Sequence, residues 1–140
     1  MSQTDCIVLH VEDDDAAAYL FRAALEEARI PAVVYRVSDG EQALSFLNRT
    51  GPYEHAPQPD VVFIDLNMPR VDGWAVLGAI PRDNPIPAVV LTTSRAPSDK
   101  KRALAMGAKE YLTKASSFDH FVEEIRNVFV QKLFFAQPLA

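Results

Sequence analysis

The stretch Asp60–Pro69 constrains the fold of this chain more than any other. Its first five residues, Asp60–Ile64, contain an apolar run rich in Val, Ile and Phe, which is typical of a strand buried on both faces. Asp65 follows that run directly, and Pro69 cannot extend the strand because proline has no backbone N–H to donate. Open parallel sheets collect ligands and chemistry at the carboxyl ends of their strands. The sequence therefore predicts that Asp65 belongs to a functional site.

A second acidic group follows another predicted strand. The apolar run Ile7–Val11 leads into four consecutive acidic residues, Glu12–Asp15. If the two strands are parallel and adjacent, the carboxylates of Glu12, Asp13 and Asp65 meet at one edge of the sheet and repel each other. A hard divalent cation relieves this repulsion, and Mg²⁺ suits a site with few carboxylates and a phosphate. The alternative is that the first two acidic residues only cap the next helix.

Two further predicted strands end in groups suited to phosphate. Ala88–Leu91 leads into Thr92, and Glu110–Thr113 leads into Lys114. A hydroxyl and an ammonium are the groups needed to bind the oxygens of a phosphoryl group on Asp65. The four strand ends together indicate a metal-dependent phosphoryl site.

In order and spacing, these residues resemble the receiver domains of response regulators in bacterial two-component signalling. The matching residues are Glu12-Asp13, Asp65-Leu66-Asn67-Met68-Pro69, Asp72-Gly73, Thr92, Tyr111 and Lys114. The alternation of predicted strands and helices favours an α/β fold, a doubly wound sheet of five parallel strands. The resemblance, which runs from about Ile7 to near Gln131, adds the strand order 2-1-3-4-5 that receivers share with flavodoxin.

The resemblance also implies a reaction and a set of ligands. A sensor histidine kinase would transfer a phosphoryl group to Asp65 in a Mg²⁺-dependent reaction. Asp13 would bind the metal directly, Glu12 through water, and Asn67 through its backbone carbonyl. Lys114 would bind a phosphoryl oxygen as a point charge. The chain would then be no enzyme beyond catalysing its own phosphorylation and dephosphorylation.

A conformational switch follows from the same resemblance. In receivers, the threonine at the end of the fourth strand turns towards the phosphoryl group and an aromatic residue on the fifth strand rotates inward. Thr92 and Tyr111 occupy those positions, and Thr93 is the alternative hydroxyl if the strand ends one residue later. Tyr111 could instead be an ordinary residue on a strand rim. The signalling surface is expected on the fourth helix, fifth strand and fifth helix.

The chain departs from the family pattern at two positions. Ala115 stands where receivers usually have proline, so the resemblance leaves open whether the Lys114–Ala115 peptide is cis. Glu12 replaces the commoner aspartate, and its additional methylene should alter metal affinity slightly. His10 is interpreted as a core histidine bonded to backbone, and none of the histidines is assigned to phosphorelay chemistry.

Local patterns predict several helix ends and buried faces. Helix starts are expected at Asp14-Asp15, at the Ser38/Glu41 capping box and at Pro97. The first helix is predicted to bury Ala17, Leu20, Phe21, Ala24 and Ala28. The third is predicted to bury Trp74, Leu77 and Ile80, and the last to align Phe118, Phe121, Val122, Ile125, Val128 and Phe129.

Composition places the chain among compact cytoplasmic proteins. Its 140 residues are expected to form one domain (1–140), with a core of about residues 6–131 and an apolar tail, 132–140. The net charge of −5 argues against nucleic-acid binding. Cys6 is the single cysteine, so no intrachain disulfide can form. No signal peptide or membrane-spanning run is predicted.

The end of the chain predicts a self-association surface. Phe129-Val130 and Phe134-Phe135 cannot all present one face, so apolar surface should remain uncovered. We expect a symmetric homodimer through the last helix and tail. The runs Leu66–Arg70 and Leu91–Ser94 resemble those of stand-alone receivers that serve bacterial phytochromes, so a phytochrome is one candidate kinase.

Two other functions compete with a phosphorylated receiver. One is a scaffold-type receiver that binds partners without phosphate, although such proteins lose the Asp65, Thr92 and Lys114 set. The other is a flavodoxin-like FMN enzyme, which needs a phosphate-cradling loop after the first strand. The acidic residues Glu12–Asp15 would repel a phosphate there.

Overall fold

Strands and helices alternate along the whole described chain. The computed structural model describes residues 5–66, 68, 72–81, 85–114 and 117–132, with 131 and 132 described by their backbone alone. The strands are β1 (Cys6–Val11), β2 (Ala32–Val37), β3 (Val61–Ile64), β4 (Ala88–Thr92) and β5 (Glu110–Thr113). The helices are α1 (Asp15–Glu27), α2 (Gly40–Asn48), α3 (Gly73–Ala79), α4 (Pro97–Ala105) and α5 (Phe118–Lys132), with a 3₁₀ turn at Gly51–Tyr53.

The strands form one parallel sheet in the order β2-β1-β3-β4-β5. This confirms the predicted α/β architecture and its strand order. Every residue of β3 is buried, as the continuous apolar run predicted for a central strand. Among the described residues, no helix combines the length and the apolar character needed to cross a membrane.

Two hydrophobic layers hold the helices against the sheet. One layer lies under α2 and α3 and contains Leu9, Val11 and Ile64. The other lies under α1 and α5 and stacks Phe21, Phe63 and Phe129, with ring centroids 4.8 and 6.0 Å apart. Because the central strands β1, β3 and β4 alternate their side chains between these layers, the polar groups described below lie at the strand ends.

The strand register brings those ends to the same edge of the sheet. Val11 pairs with Ile64, and the Asp65 N–H donates to the Val11 carbonyl at 3.0 Å. Thr92 pairs with Thr113, and the Lys114 N–H donates to the Thr92 carbonyl at 2.7 Å. Asp65 and Lys114 are therefore each fixed by the backbone of a neighbouring strand.

Helix α1 starts as predicted, but its buried face differs from the expected one. The Asp14 carboxylate caps it by accepting from the Ala17 N–H at 2.8 Å. The buried stripe contains Ala18 and Leu25 beside Phe21, Ala24 and Ala28, whereas Leu20 is 47% exposed. The prediction of Leu20 as a core residue was wrong, because the stripe runs through Ala18 and leaves residues 17 and 20 at its margin.

The capping box of α2 was predicted one residue too early. Asp39 is the N-cap, and its carboxylate accepts from the Gln42 N–H at 2.8 Å. The Gln42 side chain reaches back to the Ser38 N–H at 2.7 Å, so Ser38 precedes the cap. Ser38 and Asp39 can both cap a helix, and the partner three residues on from Asp39 is Gln42 rather than Glu41.

Three predicted core residues in the other helices are less buried than expected. Trp74 is only half-buried and carries the Arg102 guanidinium 4.0 Å above its ring, while Ile80 is the partly buried C-cap of α3. In α5, Phe118 is exposed, and Val122, Ile125, Val128 and Phe129 are buried. Pro97 opens α4 as predicted. The tail beyond Lys132 lies outside the described residues, so the dimer prediction is not tested by them.

Candidate functional site

Three carboxylates meet at the carboxyl edge of the sheet. Glu12, Asp13 and Asp65 each offer an oxygen within 4.8 Å of the other two. Glu12 and Asp65 are almost fully buried, at 1% and 7% exposure, whereas Asp13 is exposed. The three follow β1 and β3, which are neighbouring strands, and therefore lie together as the sequence predicted. The group opens to solvent on the side of Asp13.

The Lys114 ammonium lies between two of these carboxylates. Its Nζ donates to Glu12 Oε1 at 3.0 Å and lies 3.5 Å from Asp65 Oδ2. Burial alone would lower the pKa of Lys114, but the hydrogen bond to Glu12 and the two negative charges outweigh it, and the pKa is raised. Lys114 is therefore a permanent cation of the site.

Glu12 is the most enclosed carboxylate of the group. Burial raises the pKa of Glu12, and the Lys114 ammonium opposes that rise. Its second oxygen, Oε2, accepts from the Asp14 N–H at 3.2 Å. Both oxygens are thus engaged by protein donors, so a cation that binds Glu12 directly must displace one of them.

Arg36 fixes the loop that carries the acidic residues. Its Nε donates to the Glu12 carbonyl at 2.9 Å, and its guanidinium also contacts Asp15 at 2.7 Å. Sequence reasoning missed this role, since Arg36 is one charged residue on the edge strand β2. The available signal was its position one residue before the end of that strand.

Gly73 allows the start of α3 to lie directly against Asp65. A Cβ on Gly73 would clash with the Asp65 carbonyl oxygen and lie 2.7 Å from Leu66 Cα. The Gly73 N–H donates to the Leu66 carbonyl at 3.2 Å, and Asp72 caps the helix through the Ala75 N–H. The Asp72-Gly73 pair thus closes the loop after β3.

Thr92 is the buried hydroxyl at the end of β4. It is fully buried and its Oγ1 accepts from the Ser94 N–H at 3.3 Å, whereas Thr93 is exposed. Tyr111 is 8% exposed, and its hydroxyl donates to the Ser94 carbonyl at 3.0 Å. Both residues of the predicted switch therefore contact Ser94, a residue for which the sequence predicted no role of its own.

His10 differs from its prediction in one respect. It is buried beside Phe21, with ring centroids 4.1 Å apart, but its Nδ1 has no hydrogen-bond partner in the described part of the chain. The expected bond to backbone was wrong for this nitrogen, because the ring stacks within an apolar layer. Burial lowers the pKa of His10 to about 3, so the ring is neutral.

Two predictions about this site fall outside the described residues. These are the metal ligand Asn67 and the geometry of the Lys114–Ala115 peptide. In the described remainder of the chain, all peptide bonds are trans.

The assembled site has the donor set of a divalent cation centre beside a fixed ammonium. Carboxylate oxygens are the ligands that Mg²⁺ and Mn²⁺ prefer, and the three oxygens are close enough to share one ion. Lys114 and the buried Thr92 follow or end the strands on the same edge as Asp65. Such a site can neutralise a phosphoryl group on the carboxylate.

Comparison with known proteins identifies the family. The family model for the response regulator receiver domain matches residues 8–126. The chain belongs to the response regulator receiver family. Receivers act in two-component signalling, and this membership sets aside a flavodoxin-like FMN enzyme.

Individual relatives agree in sequence and structure. Response regulator Rcp1 of Synechocystis sp. is 33% identical over 126 residues, 87% of this chain and 85% of that protein. The Mn²⁺-bound structure of Rcp1 gives a TM-score of 0.81 at 32% identity, covering 96% of this chain and 99% of the other. The phosphorylated cyanobacterial phytochrome response regulator RcpA gives 0.84 at 30% identity, covering 96% and 98%. The similarity to RcpA agrees with the predicted resemblance to phytochrome-associated receivers.

Proposed function

We propose that this receiver accepts a phosphoryl group on Asp65 from the phosphohistidine of a sensor kinase. The observation that carries the proposal is the position of the Lys114 ammonium, which lies 3.5 Å from Asp65 Oδ2. Asp65 in turn belongs to a group of three carboxylates that each offer an oxygen within 4.8 Å of the other two. An Asp65 oxygen attacks phosphorus and forms a P–O bond while the P–N bond to the histidine breaks. The electron pair of that bond returns to the imidazole.

The acidic group would hold Mg²⁺ during the transfer. Asp13 and Asp65 would bind it directly, with the Asn67 carbonyl, and Glu12 would act through water. The support is that both Glu12 oxygens already accept from protein donors, at 3.0 and 3.2 Å. When bound, the cation offsets the negative charge that accumulates on the phosphoryl oxygens.

Lys114 and Thr92 would bind the transferred group. Lys114 needs only to turn from Glu12 towards a phosphoryl oxygen, since it already borders Asp65. Thr92 would exchange its bond with the Ser94 N–H for one with the phosphoryl group. Tyr111 would be the second switch residue, and its ring is already turned inward and bonded to the Ser94 carbonyl at 3.0 Å. The burial of Thr92 favours it over the exposed Thr93 as the switch hydroxyl.

Two partners are proposed. The first is a sensor histidine kinase, for which a phytochrome is the leading candidate because RcpA is described as a phytochrome response regulator. The second is another copy of this chain, bound through α5 and the tail. The exposed Val130, next to the buried Phe129, supports an apolar surface at the end of α5.

The test is intact-protein mass after incubation with Mg²⁺ and a small-molecule phosphodonor. We expect one added phosphoryl group in the wild type, and none in Asp65→Asn or in the presence of a chelator. Asp119→Asn, which removes an exposed carboxylate on α5, is the matched control and should be phosphorylated normally.

Two results would contradict the proposal. A normal adduct in Asp65→Asn would place the acceptor elsewhere. No adduct with any donor, together with no binding of beryllofluoride, would instead support a scaffold-type receiver that acts without phosphate.

A further inference from the structure

Helix α4 is attached to the fold by little hydrophobic contact. All nine of its residues are described, and Ala103 is its one buried side chain. Its N-cap is Ala96, which has no side chain that can accept a hydrogen bond from the first turn. Polar contacts must therefore contribute much of what positions the start of this helix.

Ser94 provides such a contact two residues before the cap. Its hydroxyl donates to Asp99 Oδ2 at 2.6 Å and accepts from the Ala96 N–H at 3.3 Å. The short distance is typical of a hydrogen bond to a charged acceptor, which is stronger than a neutral one. Asp99 lies in the first turn of α4, where a carboxylate also interacts favourably with the helix dipole.

The same residue contacts both members of the proposed switch through its backbone. Its N–H donates to Thr92 Oγ1 at 3.3 Å, and its carbonyl accepts from the Tyr111 hydroxyl at 3.0 Å. Ser94 thus joins β4, β5 and the first turn of α4 through three different groups. A displacement of the Ser94 backbone would therefore also displace the first turn of α4.

We propose that the Ser94–Asp99 hydrogen bond couples the switch to α4, so that Ser94 is a positioning residue for the output helix. This inference rests on the proposed phosphorylation of Asp65. When Thr92 turns to the phosphoryl group, its Oγ1 leaves the Ser94 N–H and the loop after β4 shifts. Because the Ser94 hydroxyl holds Asp99, the first turn of α4 moves with the loop.

A second contact lies towards the other end of the helix. The Arg102 guanidinium lies 4.0 Å above the Trp74 ring, which joins α4 to α3. The helix is thus held to the switch at Asp99 and to a neighbouring helix at Arg102. Trp74 is the only tryptophan of the chain, so its fluorescence reports on this second contact without labelling.

The test measures how far activation reaches into α4. ¹H–¹⁵N NMR spectra and Trp74 fluorescence are recorded with Mg²⁺, before and after beryllofluoride, for the wild type, Asp99→Ala and Ser94→Ala. We expect the activation-induced shifts of the α4 amides to fall by at least half in both variants, while intact mass with a phosphodonor still shows one phosphoryl group in Asp99→Ala. The double variant should lose no more than either single one.

Two further variants separate coupling from a general structural role. Ser94→Thr keeps the hydroxyl and should restore the α4 shifts. Ser98→Ala removes an exposed hydroxyl one residue before Asp99 and should match the wild type.

Full-sized α4 shifts in Asp99→Ala and Ser94→Ala would overturn the coupling role. The same holds if Ser94→Thr fails to restore the shifts although its resting spectrum matches the wild type. Absence of phosphorylation and beryllofluoride binding in the wild type would instead count against the proposed function, which distinguishes the two failures.

Discussion

Lys114 balances the charge of two buried carboxylates. A divalent cation that enters the acidic group must compete with an ammonium 3.0 Å from Glu12 and 3.5 Å from Asp65. The cation and the ammonium would be attracted to the same two carboxylates and would repel each other. The lysine that would assist phosphoryl binding should therefore weaken metal binding in the resting protein.

We expect Lys114→Met to bind Mg²⁺ at least tenfold more tightly, a gain of about 1.4 kcal/mol. Methionine retains an apolar stem of similar length and removes the charge. Titration calorimetry measures the affinity, and Lys109→Met, at an exposed lysine, is the control. Equal affinities in Lys114→Met and the wild type would show that the ammonium does not oppose the metal.

His10 should make the stability of the receiver sensitive to acid. Its pKa falls from 6.5 to about 3 on folding because burial disfavours the charged ring. Between these two pKa values His10 is protonated in the unfolded chain and neutral in the folded chain. The free energy of unfolding therefore decreases as the pH falls below 6.5.

At pH 4.5 this loss should be about 2 to 3 kcal/mol for the His10 contribution alone. Urea unfolding at about pH 7 and about pH 4.5 measures it, with His10→Leu as the comparison that lacks the titrating group. The wild type should lose more stability than the variant over this range. Parallel losses in the two proteins would contradict the assignment.

At the scale of elements, the contact between α3 and the end of β3 tightly constrains Asp65. Gly73 has no free space on its Asp65 side, because a Cβ added there would clash with the Asp65 carbonyl oxygen. A larger residue at position 73 must displace either α3 or the end of β3. The start of α3 and the position of Asp65 are therefore mutually dependent.

We expect Gly73→Ala to destabilise the fold by about 2 kcal/mol or more, since backbone must move to admit the methyl group. Phosphorylation of Asp65 should also fall. Gly78→Ala in the same helix is the control, because its Cβ would meet only the Met106 side chain at 3.4 Å and alanine favours a helix. Thermal unfolding and intact mass measure the two effects, and unchanged values in Gly73→Ala would show that this contact can relax freely.

Much of this element structure was predictable, for reasons that individual residues illustrate. The run Val61–Ile64 and the proline at residue 97 are local signals, and both marked their elements correctly. Ser38 and Asp39 offered two equivalent caps, so the start of α2 was ambiguous by one residue. The contacts of Arg36 and Ser94 depend on which strands are neighbours, and no local pattern contains that information.

The site shows the same division. Carboxylates, a hydroxyl and a lysine at four strand ends could be placed together once the strand order was assumed. The burial of Thr92 relative to Thr93, and the closer approach of Lys114 to Glu12 than to Asp65, required the packed structure. The predicted backbone bond of His10 was wrong for its Nδ1, because a local sequence cannot show that the ring packs against Phe21.

At the scale of the whole molecule, one apolar side chain near the end of α5 is exposed to solvent. Val130 is 63% exposed although it follows the fully buried Phe129. An exposed apolar residue at the end of a helix is a candidate centre for a symmetric contact with a second copy. The tail residues that would extend this surface lie outside the described part of the chain.

We expect the receiver to be a dimer at tens of micromolar, and Val130→Asp to shift it towards the monomer because a buried charge opposes the contact. Size-exclusion chromatography with light scattering measures the mass. Asn48→Asp adds the same charge at an exposed position of α2, outside the proposed contact, and should leave the dimer intact. A wild-type monomer, or equal effects of the two variants, would contradict this surface.

The Glu12–Lys114 ion pair joins residues 102 positions apart in the chain. During synthesis on the ribosome, Glu12 emerges early, and about a hundred further residues must be added before Lys114 can pair with it. A nascent or prematurely terminated chain therefore lacks the cation beside Asp65. We therefore expect chains that end before Lys114 to be poor phosphate acceptors.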